Sequence, residues 1–297
     1  MKVLVLGGAG MLGHKLVQVL GESRTVVGTV RDVRRWAGHP LLGNPERVLV
    51  GVEAMAPETV AAAIDAVRPE VVVNCIGIVK QRPAAADAAL VNQVNALFPH
   101  RLAQLCRERG CRLVHLSTDC VFSGRRGCYS EDDEPDPVDS YGRSKLAGEV
   151  TGERCLTLRT SMIGRELAGR AGLLEWFLSQ RGERVAGFRK AVFSGLTTAA
   201  LARVIGAVVS DHPDLEGLLH VASEPISKHE LLLGIDRALD LGIAIDPVDE
   251  PACDRSLDGS RFAAATGIAV PSWDSMIEGL ATDPTPYDAW RRHEQAT

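Results

Sequence analysis

Residues 1–13 read MKVLVLGGAGMLG. Val3 to Leu6 is an uninterrupted apolar run, and Gly7, Gly10 and Gly13 follow it at a spacing of three. Leu12 to Leu20 then carries apolar residues at helical spacing. Strand, glycine turn and helix succeed one another without a linker. Glycine permits positive φ and lets the backbone approach a ligand closely. The helix start adds free N–H groups and the positive end of its dipole. This is the arrangement that cradles a dinucleotide pyrophosphate, with Gly7, Gly10, Met11, Leu12 and Gly13 as the cofactor-binding residues. The same opening reads as a buried strand entering a loop, not as a secretory leader.

Outward from that turn the rhythm continues. Thr25 to Val30 is strand-like, Pro57 to Val67 opens with proline and reads as helix, and Val71 to Cys75 is fully apolar. Ala88 to Arg109 forms a long helix stopped by Gly110, Leu113 to Ser117 another strand, and Leu156 to Arg159 a further one. Continuous apolar strands alternating with helices predict a parallel sheet covered on both faces. The fold class is therefore α/β, a Rossmann-type doubly wound sheet with a smaller, interleaved C-terminal substrate lobe. Residues 1–165 are assigned to NAD(P) binding and 166–297 mostly to substrate. A helix near 197–210 is expected to return to the first domain. Between 123 and 139 lies a Gly, Pro and acid-rich loop, and Ser140 is positioned to cap the next helix. Leu173, Trp176 and Phe177, at helical spacing, read as core.

The 297 residues carry a formal net charge of −5, which disfavours a basic nucleic-acid binder. Aromatic residues are 4% of the chain, too few for base-stacking platforms. No apolar run approaches the ~18 residues a membrane helix needs. Seven cysteines without Cys-x-x-Cys spacing predict reduced thiols in the cytoplasm and no metal site.

The second strand ends at Val30-Arg31-Asp32, with Arg34 and Arg35 beyond. Arginine here suits a 2′-phosphate, so NADPH is expected, while Asp32 leaves NADH open. Asn74, Cys75 and Gly77, at the end of the Val71 to Cys75 strand, are placed beside the nicotinamide ribose. Tyr141 and Lys145 form Tyr-x-x-x-Lys, which puts phenol and ammonium on one helix face. A nearby ammonium is expected to lower the Tyr141 pKa and make it a proton donor. Thr118 ends a strand of the same sheet, where ligands of open α/β sheets bind. Thr118, Tyr141 and Lys145 are the catalytic candidates. His115, inside a strand, reads as core.

Together these residues resemble the extended short-chain dehydrogenase/reductases. Ser117-Thr118-Asp119-Cys120-Val121-Phe122-Ser123-Gly124 and Tyr141-Gly142-Arg143-Ser144-Lys145-Leu146-Ala147-Gly148-Glu149 are similar to blocks of the dTDP-4-dehydrorhamnose reductase family. Leu158 to Ser161, Gly195 to Thr198 and Leu257 to Phe262 resemble its later blocks. The resemblance spans nearly the whole chain and implies NAD(P)H-dependent reduction of the C4 ketone of a nucleotide-activated 4-keto-6-deoxyhexose. It places Asn95 near the proton path. It also implies that Cys120, Val121, Phe122 and Met162 face the substrate. Lys80, where the segment departs from the family's acidic run, is expected to face substrate or cofactor phosphate. Arg159 and Arg165 are candidates for the substrate's diphosphate, which needs cationic partners. Arg170, Arg189, Lys190 and Arg261 are further diphosphate candidates. Cys120 and Met162 replace the family's Tyr and Trp, so the sugar need not be the rhamnose precursor. A nucleotide-sugar epimerase or dehydratase and a non-catalytic NADP-binding regulatory subunit are the alternatives; Cys120 after Asp119 disfavours a dehydratase acid pair. A homodimer is compatible with the sequence.

Overall fold

The computed structural model describes residues 1–32, 36 and 38–295, with side chains to Arg291. Strands β1 (Lys2–Leu6), β2 (Thr25–Val30), β3 (Val48–Val50), β4 (Val71–Asn74), β5 (Arg112–Thr118) and β6 (Cys155–Thr160) lie in one parallel sheet. Its order is β3-β2-β1-β4-β5-β6, extended past β6 by a strand from later in the chain. Neighbouring strands are in parallel register, with Leu4 opposite Val27 and Val72.

Side chains alternate across the sheet, so consecutive apolar residues feed two cores. Val3, Val5 and Val73 join α1 (Gly13–Leu20) on one face. Leu4, Leu6 and Val72 join α2 (Pro57–Val67) and the long helix α3 on the other. Helix α3 has the extent its sequence predicts but not one geometry. It begins as Ala88–Val91, widens to a π-helix over Asn92–Leu97, and resumes as Phe98–Glu108. Pro99 lacks the N–H that would return to the Asn95 carbonyl, and the helix widens there.

After β5 comes α4 (Ser140–Ala147), which carries Tyr141 and Lys145. The second lobe follows β6. It contains β7 (Met162–Ile163), α5 (Leu173–Leu178), β8 (Arg184–Phe188), β9 (Ala191–Phe193) and β10 (Leu196–Thr197). The chain then comes back to the main sheet. Helix α6 (Thr198–Asp211) packs beside α1, where Gly206 leaves room for Leu20, and β11 (Gly217–His220) pairs with β6. It leaves again as β12 (Ile226–Ser227), α7 (Lys228–Leu239), β13 (Ala244–Val248), β14 (Cys253–Asp254), α8 (Ser260–Thr266) and α9 (Trp273–Ala281). A last helix, α10 (Tyr287–Gln295), follows. Trp176 is 38% exposed, so of the three residues read as core on α5, Phe177 alone is fully buried.

Candidate active site

The glycine turn is built as its sequence predicts. Gly7 has φ +81°, and a Cβ on Gly13 would lie 2.1 Å from the Gly7 carbonyl oxygen. The Gly10 N–H closes the turn onto that carbonyl at 2.9 Å. The N–H groups of Met11 and Leu12 have no acceptor among the described residues. Unsatisfied donors at a helix start, in a cradle any Cβ would fill, fit a pyrophosphate. Arg31 is exposed at the end of β2. Arg34 and Arg35 lie outside the described residues.

Helix α4 is seated by two contacts. Its cap is Asp139, not Ser140: the Asp139 carboxylate accepts from the Gly142 N–H at 2.7 Å. A Cβ on Gly142 would lie 2.2 Å from the Cys120 carbonyl oxygen, so the helix start rests on the turn after β5. That close approach brings Tyr141 to Thr118 and Cys120. At the other end, a Cβ on Gly148 would lie 1.9 Å from the Asn95 carbonyl oxygen, the one Pro99 cannot satisfy. Asn95 is fully buried. Its amide donates to the Ile78 carbonyl (2.9 Å) and Ser144 Oγ (3.1 Å), and its Oδ1 accepts from the Ile78 N–H (2.8 Å). It ties α3, α4 and the loop after β4 together.

The electrostatics of Tyr141 differ from the sequence expectation. Burial pushes its phenol pKa up, and the neighbouring Cys120, Asp119 and Asp139 push the same way; the Thr118 hydroxyl opposes them. The buried Lys145 Nζ donates to the Leu116 carbonyl at 2.6 Å and lies 3.5 Å from His115 Nε2. An ammonium out of water takes the strongest acceptor within reach, here a backbone carbonyl inside the sheet. Burial lowers the Lys145 pKa to about 8, with Glu149 and Cys75 opposing. Thr118 Oγ1 donates to Asp119 Oδ1 (3.1 Å) and accepts from the Cys120 N–H (3.1 Å).

Residues 1–282 match the family model described as the RmlD substrate binding domain. The chain belongs to this family. The probable low-salt glycan biosynthesis reductase Agl14 of Haloferax volcanii is 30% identical over 217 residues, 66% of this chain and 71% of the relative. A probable dTDP-4,6-dihydroxy-2-methyloxan-3-one 4-ketoreductase of Streptomyces antibioticus is 33% identical over 242 residues, 75% of this chain and 72% of the relative. The fold is shared with the dTDP-4-dehydrorhamnose reductase of Bacillus anthracis in complex with NADP. There the TM-score is 0.75 at 22% identity, over 94% of this chain and 98% of that one.

The other residues that the family resemblance pointed to divide sharply. Asn74 and Cys75 sit at the end of β4, but the Asn74 amide is used internally. It donates to His115 Nδ1 at 3.1 Å, and its Oδ1 accepts from the Ile76 N–H. Burial pushes the Cys75 thiol up to about 12. Gly77 is exposed. Cys120 and Met162 are partly accessible, and Lys80 is exposed, 3.9 Å from Asp139.

Four residues expected at the substrate are engaged inside the protein. Val121 and Phe122 are fully buried and face the core with Tyr129 and Leu257. Arg159 is 4% exposed and forked onto Glu149, Nε and Nη2 each 2.8 Å from a carboxylate oxygen, with its guanidinium over the Phe122 ring. Arg165 pairs with Glu175 (2.7 Å) and Asp288 (3.2 Å) above the Tyr287 ring. Among the further candidates, Arg189 and Lys190 pair with Asp249, and Arg261 with Asp132 and Glu131. Arg170 is exposed.

Sequence reasoning missed two cations that reach the turn after β5. Lys228 opens α7 and lies 3.4 Å over the face of Phe193. Among the described residues it has no hydrogen-bond acceptor or ion-pair partner, and burial lowers its pKa to about 8 against the pull of Asp119 and Cys120. Arg255 donates from Nε to the Phe122 carbonyl (2.9 Å) and from Nη1 to Cys120 Sγ (3.7 Å). The only local signal was the Ser227–Glu230 capping box, which marks a helix start and says nothing of a site.

Proposed function

We propose that the protein reduces the C4 ketone of a nucleotide-activated 4-keto-6-deoxyhexose with NADPH. The observation that carries this is the placement of Tyr141, as a phenol, against Thr118 at the carboxyl end of β5, on the side of the sheet edge where the glycine turn opens. The family membership supports it.

Residues 1–165, with α6 and β11 returning to them, serve the cofactor; 166–297 otherwise mostly serve the substrate. Gly7, Gly10, Met11, Leu12 and Gly13 hold the pyrophosphate through backbone N–H groups, and Arg31 meets the 2′-phosphate. The bound nicotinamide supplies the hydride. Reduction creates an alkoxide that needs a proton, and a donor must be protonated at working pH. Burial keeps Tyr141 in that state without help. Thr118 turns its hydroxyl from Asp119 to the substrate oxygen, polarising it. Tyr141 then delivers its proton to the new alkoxide. Lys145, held by Leu116, supplies positive charge beneath this pair; Cys120 and Met162 line the sugar side. Lys228 and Arg255 take the place of the internally paired Arg159 and Arg165 in meeting the diphosphate.

The test is turnover. Purified protein with NADPH and a panel of nucleotide-linked 4-keto-6-deoxy sugars is expected to lose nicotinamide absorbance with at least one. Cofactor binding without turnover of any member overturns the reading.

A further inference from the structure

The family match ends at residue 282, yet the chain continues into a segment that returns to the glycine turn. Asp283 forms a buried ion pair with Lys15 of α1 at 2.6 Å. Thr285 Oγ1 accepts from Lys15 Nζ (2.9 Å) and Gln18 Nε2 (2.8 Å). Tyr287, 2% exposed, packs with Val30, Trp36, Leu42 and Leu167, with Ala9 of the glycine turn against the same cluster. Arg291 completes the strap on Glu175 and the Glu166 carbonyl.

The consequence lies in one chain of hydrogen bonds. His14 Nδ1 is 2.8 Å from the Gly10 carbonyl oxygen, and His14 Nε2 is 2.8 Å from the Tyr287 hydroxyl. A carbonyl only accepts, so Nδ1 carries the proton, Nε2 is the acceptor and Tyr287 donates. Burial lowers the His14 pKa to about 4, which keeps this neutral tautomer in place throughout the physiological range. The Gly10 carbonyl also receives the His14 backbone N–H at 3.1 Å. In a trans peptide the N–H of the next residue points opposite to the carbonyl. Fixing the Gly10 oxygen toward His14 therefore fixes the Met11 N–H outward from the helix start, and that N–H has no acceptor among the described residues.

We infer that Tyr287 is a positioning residue for the cofactor: through His14 it sets the Gly10–Met11 peptide that faces the pyrophosphate. This rests on the reading that the glycine turn binds NADPH. The strap adds no atom to the ligand. It makes cofactor affinity depend on a segment far from the turn in sequence.

The test is direct NADPH binding, followed by fluorescence, on the full chain, on Tyr287→Phe, and on a chain ending at Thr282. Tyr287→Phe keeps the ring over Arg165 and against His14, so the cluster stays filled. It leaves Nε2 without its donor, and Kd is expected to rise about tenfold. The shortened chain should lose at least as much. Ser272→Ala, which removes the cap of α9 far from the turn, should lower Tm and leave Kd unchanged. Kd of Tyr287→Phe within twofold of wild type overturns the inference alone. So does a Ser272→Ala chain that loses as much NADPH affinity as Tyr287→Phe, because the effect would then be general loosening. A wild-type chain that binds neither NADPH nor NADH overturns the cofactor reading, and this inference with it.

Discussion

Arg159 separates a structural arginine from a substrate-binding one. Its fork onto Glu149 is 4% exposed, and Glu149 Oε1 also accepts from Ser117 Oγ at 2.5 Å. Glu149 follows α4, Ser117 is in β5 and Arg159 in β6, so the trio clamps α4 to the sheet. Arg159→Met keeps the length of the aliphatic stem but leaves a carboxylate inside the protein with the Ser117 hydroxyl as its one remaining donor among the described residues. Breaking a buried pair by removing one partner costs about 3–5 kcal/mol. At roughly 2 °C per kcal/mol for a chain of this size, Tm should fall by about 6–10 °C. Arg159→Met/Glu149→Leu removes both charges and should recover most of that loss, because replacing a buried pair by apolar residues is often neutral. Chemical denaturation of the four chains of the cycle gives the coupling directly. A loss below about 1 kcal/mol in Arg159→Met, with a raised KM for the nucleotide sugar, would refute the clamp and return Arg159 to the substrate.

Lys145 predicts a pH dependence. Tyr141 is a phenol across the neutral range, so kcat/KM for reduction should be flat up to about pH 7.5 and fall as Lys145 deprotonates near 8. A profile flat to pH 10, or falling below 7, contradicts that assignment. The stability sign follows from the same shift. The folded pKa lies below the ordinary 10.5, so the unfolded chain binds more protons between about 8 and 10.5. Wild type should therefore gain stability relative to Lys145→Met across that window, by about 3 kcal/mol, in urea melts at successive pH values. Lys228→Met should raise KM for the nucleotide sugar about tenfold or more, and leave KM for NADPH unchanged; an unchanged sugar KM would remove Lys228 from the substrate site.

What the sequence made legible was local. The glycine turn, the apolar strands and the Tyr-x-x-x-Lys helix each declare themselves within a dozen residues, because backbone geometry and side-chain period are short-range properties. Arginine roles are not of that kind. Arg159 and Arg165 resemble phosphate binders until the fold supplies Glu149 across a strand and Asp288 from the far end of the chain. Lys228 and Arg255 reach the turn after β5 only because β9, β14 and α7 pack beside it. The Tyr141–Lys145 spacing placed two residues on one face correctly. It could not show that Leu116 would claim the ammonium and that burial, not a neighbouring cation, would set the protonation of the phenol.

That last point is the centre of the account, and one comparison tests it. Tyr141→Phe and wild type would be assayed side by side for NADPH oxidation with a nucleotide-linked 4-keto-6-deoxy sugar and for NADPH binding. The account predicts loss of turnover by at least about a hundredfold with Kd for NADPH within about twofold, since only the proton donor has been removed. Turnover retained at the wild-type rate would contradict it.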